Sequence, residues 1–91
     1  MISKSDMQNR ISDTLIKVTQ KWPGTAKDTR LNYLHTELSR LQSLVQGTWP
    51  LPAATASDFS LGLFAARELE DFHPDLVEDV FFISGRLAEC V

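Results

Sequence analysis

Residues 31–45 read LNYLHTELSRLQSLV, and Leu31, Leu34, Leu38, Leu41 and Val45 fall within them at alternating spacings of three and four. That alternation places all five side chains on one seam of a single α-helix. A seam of this width cannot face water along its whole length, so the helix must pack against others. Two-stranded zipper pairing is a poor fit. With Leu31 at position a, the flanking positions hold Asp28, Arg30, His35, Glu37, Gln42 and Leu44, which offer a parallel partner no attractive charge pattern. Leu44 widens the apolar face instead, as the core of a globular bundle requires.

Outward from the seam, three more helical segments come into view. Met7, Ile11, Leu15, Val18 and Trp22 recur at helical spacing, with Ser5 and Gln8 as a capping pair and Pro23-Gly24 as a stop. The seam helix opens at Thr25, with Asp28 in its first turn, and closes at Gly47 as a C-terminal cap. A third helix begins near Ser57 or Asp58 and runs to Phe72. The fourth starts with His73 as cap, Pro74 in the first helical position and Asp75 at the positive end of the dipole. The expectation is an all-α four-helix bundle of two hairpins spanning about 5–22, 26–46, 58–72 and 74–90. One domain covers 1–91, as the length allows. Pro50 and Pro52 make 47–57 an extended connector, over which Trp49 folds back onto the core.

Charge is distributed unevenly. Residues 1–46 carry seven Lys or Arg against four Asp or Glu, whereas residues 47–91 carry two against eight. Opposite halves either attract each other inside the fold or leave an acidic half for a basic partner. The apolar runs are too short to span a membrane, and Met1 to Arg10 lack a signal-peptide core, which points to the cytoplasm. A single cysteine, Cys90, builds no internal disulfide framework.

Catalytic constellations are hard to find. Glu70, Asp71, His73 and Asp75 form the one corner resembling a metal or acid–base site, but capping chemistry accounts for them, and no metal or cofactor is expected. Gly24, Gly47, Gly62 and Gly85 are isolated, so no phosphate-cradling loop exists; Gly62 with Ala65 and Ala66 instead permits close helix approach. As a recognition helix, the fourth segment offers Arg86 against Asp75, Glu78, Asp79 and Glu89, which DNA would repel.

Helical projection leaves several apolar residues off their stripes. Ile16, Tyr33, Leu44, Phe64 and Phe82 project away from the expected seams, while Phe81 joins the core half of the fourth helix with Leu76, Val80 and Ile83. Off-stripe aromatics that cluster mark an interface. The resulting expectation is a non-catalytic regulatory or adaptor module, of inhibitor, immunity or chaperone type. It binds another protein, a basic surface among the options, through Phe64, Glu68, Asp71, Glu78, Phe82 and Arg86, and it self-associates as a homodimer. The alternative is nucleic-acid binding by Lys4, Arg10, Lys17, Lys21 and Lys27 of the basic half.

Overall fold

A computed structural model describes residues 2–21, 29–71 and 73–88, and among these the fold is all-α. Helix α1 spans Lys4–Lys21. Its cap is Ser3 rather than Ser5: the Asp6 N–H donates to Ser3 Oγ at 3.1 Å and the Met7 N–H to the Ser3 carbonyl at 3.0 Å. Both serines have a suitable residue three positions on, and periodicity alone does not choose between them. Met7, Ile11 and Val18 are buried as expected, but Thr14 joins them and Leu15 is only half-buried. Thr14 tolerates the core because its hydroxyl donates to the Arg10 carbonyl at 2.8 Å. The expected contribution of Trp22 lies outside the described residues.

Helix α2 spans Thr29–Gly47, and all five seam residues are buried. The expected start at Thr25 and Asp28 lies outside the described residues. Gly47 does not act as a left-handed cap. It stays within the helix, and the Thr48 N–H continues the ladder to Leu44 at 2.9 Å.

The connector is extended only in part. Pro52 has polyproline-like dihedrals (φ −56°, ψ 143°), and a short helix α3 follows at once over Ala53–Ser57. Proline is tolerated just ahead of a helix, and the alanines after it favour one. Trp49 folds back as expected: it is half-buried against the core, and its indole N–H donates to the Ile2 carbonyl at 2.9 Å. Leu51, Ala56 and Phe59 add to the buried end.

Helix α4 spans Leu61–Phe64 and continues as a π-helical turn over Ala65–Leu69. It begins later than expected because Asp58 terminates α3 instead of opening the next helix. The wide turn is marked by the Glu70 N–H donating to the Ala65 carbonyl at 3.1 Å, five residues back. Its cause is legible in the core. Leu61, Ala65 and Leu69 are all buried, and a spacing of four drifts by about 40° per step in an ordinary α-helix. A wider turn removes that drift and keeps all three on one seam.

Helix α5 spans Pro74–Ala88, with Pro74 in the first helical position as expected. Leu76, Val80, Ile83 and Leu87 form its seam. Phe81, expected in the core, is 44% exposed, whereas Phe82, expected to stand free, is half-buried. The two rings flank the seam almost symmetrically, about 130° to either side. The neighbours break the tie, since α1 brings Arg10 to the Phe82 ring while α4 presents side-chain-free Gly62 on the Phe81 side.

Packing follows a ring. Helix α1 packs on α2 and on α5, and α5 packs on α4 and its π turn. On the fourth side, α2 against α4 and its π turn, the described residues meet through side chains.

Gly62 lies at the close approach of α4 to α5. A Cβ at this position would stand 2.9 Å from Ser84 Oγ and 4.0 Å from Phe81 Cδ1. Gly62→Ala should leave stability almost unchanged, because a hydroxyl rotation clears the clash and alanine favours helix. Gly62→Leu should lower it by about 1–3 kcal/mol through overpacking. Urea midpoints for the two variants check this, and equal midpoints would show the contact to be loose.

Candidate protein-docking groove

The charge asymmetry is largely spent inside the fold. Arg10 meets Asp79 at 2.9 Å, Lys17 meets the same carboxylate at 2.6 Å, Lys21 meets Asp75 at 3.0 Å, and Arg30 meets Glu68 at 3.1 Å. Each pair joins the basic first half to the acidic second half. Asp79 is the hub, buried where α5 faces α1. The hydrogen bond to Asp79, and then its charge, raise the Lys17 pKa above the ordinary 10.5. The hydrogen bond from Lys21 likewise holds Asp75 below the ordinary 3.8.

Phe82 belongs to this seam. Two guanidinium groups approach its ring, Arg10 at 4.2 Å and Arg86 at 5.0 Å from the centroid. Phe82 therefore serves the α1–α5 contact through Arg10, while Arg86 meets the same ring from within α5. Glu78, on the same helix, is exposed at the edge of a cleft between α1 and α5. Asp71 is exposed beyond the π turn. The six expected partner-binding residues thus separate: Phe64 and Glu68 share one place, Glu78, Phe82 and Arg86 lie along α5, and Asp71 joins neither.

Phe64 and Glu68 lie on the α2–α4 side of the ring. Phe64 is half-buried, its ring centroid 4.7 Å from that of Tyr33 on α2, with the planes tilted by 52°. Together with the Arg30–Glu68 pair this contact spans the gap between α2 and α4. What remains is an open groove of about 440 Å³ lined by Thr29, Arg30, Tyr33, Ser60, Leu63, Phe64, Arg67 and Glu68. Leu63 is 55% exposed and Tyr33 is 38% exposed. Burial, and then the Glu37 carboxylate, raise the Tyr33 pKa above the ordinary 10.0. Arg67 stands at the rim with no ion pair among the described residues.

Leu63 and Arg67 are not among the expected site residues, because the expected core face of the third helix is set by Gly62, Ala65, Ala66 and Leu69, whereas the buried residues are Leu61, Ala65 and Leu69. Had Leu61 been taken as its first core residue, Leu63 would have projected outward. Among the described residues no group of acidic, histidine or cysteine side chains converges as a metal ion requires, and no helix is long and apolar enough to cross a membrane. Comparison with protein-family models, curated proteins and solved structures gives no match.

Proposed function

We propose that this chain is a non-catalytic regulatory or adaptor module that acts in the cytoplasm by binding another protein, and that the α2–α4 groove is its docking site. The observation that carries this reading is the conjunction of exposed Leu63 and Tyr33 with the cation Arg67 along the α2–α4 groove. An apolar floor with a charged rim is how helix-in-groove recognition is built. Large apolar side chains in such a floor contribute most of the binding energy, and the rim sets orientation. Nucleic-acid binding is supported less well, since Arg10, Lys17 and Lys21 point at this chain's own carboxylates. Lys4 is exposed, and Lys27 lies outside the described residues.

A photocrosslinking amino acid placed at position 63 should capture a discrete protein species in cells, and one placed at Lys4 should not. Arg67→Glu should abolish that capture while leaving the helical circular dichroism intact. Equal capture from both positions, or none from position 63, would sink the reading.

A further inference from the structure

The groove asks for an apolar knob with a carboxylate beside it, and the chain carries such a pair on the opposite side of its ring. On α1, Ile16 is 55% exposed, and Asp13 is exposed three residues before it. Both line the cleft of about 480 Å³ between α1 and α5, with Glu78 across from them. The cations of that cleft are already engaged, Arg10 and Lys17 with Asp79. Asp13 and Glu78 hold no ion pair among the described residues, and in this they complement Arg67 across the bundle.

The geometry points to a second copy of this chain as the occupant of the groove: α1 of one copy seats Ile16 between Tyr33 and Leu63 of the next and sets Asp13 on Arg67. The spacings agree. Asp13 to Ile16 is three residues and Leu63 to Arg67 is four, so each pair spans about one helical turn, roughly 5 Å, and both contacts form together. The knob face and the groove face lie on opposite sides of the ring, α1–α5 and α2–α4. The contact is therefore heterologous: each copy docks through one face and leaves the other free, so assembly continues beyond a dimer. An interface of one knob and one ion pair is small, which makes the association weak and salt-sensitive. This inference rests on the groove being a protein-docking site, and it replaces a closed homodimer with open stacking.

Sedimentation and light scattering of the full chain under reducing conditions, from about 10 μM to about 1 mM, test it. The weight-average mass should climb from 10.2 kDa and pass the dimer without a plateau. Added salt should reverse the climb. Ile16→Asp and Arg67→Asp should each hold the mass at the monomer value with helicity unchanged, and Asp13→Arg combined with Arg67→Asp should restore the climb. A constant monomer mass, a plateau at the dimer, or growth indifferent to Ile16→Asp would each overturn the stacking. If the mass stays monomeric while the crosslinker at position 63 still captures a different protein, stacking fails and the docking reading stands. If neither occurs, both fail.

Discussion

Leu38→Ala should remove about 3 kcal/mol or more of folding stability, the largest loss of any single truncation on the seam. Leu38 is fully buried at the middle of α2, with Leu34 and Leu41 one turn away on either side, both fully buried as well. Close packing on both sides leaves little freedom for the helix to collapse into the cavity, so the lost transfer energy and the cavity cost add. For a domain of this size, whose total stability is about 5–15 kcal/mol, that is a large fraction. Leu44→Ala is the matched control. It removes the same atoms from the same helix, but Leu44 is half-buried beside the seam, and about 1 kcal/mol should be lost. Urea denaturation followed by circular dichroism compares the two directly, and equal losses would mean that the stripe does not organise the core.

Asp79→Ala should follow, with a loss of about 2 kcal/mol. The carboxylate is buried between α5 and α1, and its removal strands the Arg10 guanidinium, whose Nε is already buried without a hydrogen-bond partner. Arg10 also covers the Phe82 ring, so the packing of that ring on α1 should loosen along with the charge. The Arg10 side chain is about one-third exposed, which keeps the cost below that of a fully buried pair. Lys17, in solvent, can turn to water. Replacing both members with apolar residues, Arg10→Met with Asp79→Leu, should recover most of the loss, because no charge is then left unpaired. A double substitution as unstable as Asp79→Ala alone would show that Asp79 does something other than neutralise Arg10.

The two largest effects differ in how far they were legible beforehand. Leu38 needed only the three-and-four spacing, which acts through local geometry: a helix has one period, and whatever recurs at that period shares a face. The same reasoning placed Met7, Ile11, Val18, Leu76, Val80, Ile83 and Leu87 correctly and set Pro74 at the start of α5. Asp79 was different. The opposite charge balance of the two halves announced attraction, but which of eight acidic residues would receive Arg10 and Lys17 depended on how α5 is rotated against α1.

Of the residues that line the groove, Phe64 and Glu68 are among those expected from the sequence, Tyr33 was noticed as lying off its seam, and Leu63 and Arg67 were not named. The choice of seam lies behind that failure: Leu63 and Arg67 project opposite Leu61, Ala65 and Leu69 even at a regular 100° per residue, but the expected core face counts in Gly62 and Ala66 and leaves out Leu61.

From its sequence alone this chain is determined to be all-α, with a leucine seam for a core and two halves of opposite charge. These are properties of spacing and composition, and no neighbour is needed to express them. Only the tertiary structure decided between Phe81 and Phe82, which flank their seam almost equally until Arg10 arrives on one side and Gly62 on the other. Tertiary structure likewise decided that, among the described residues, α2 and the α4 segment meet through side chains along a groove. Period specifies which face of a helix is buried; the edges of that face, where binding takes place, belong to whichever helix packs beside it.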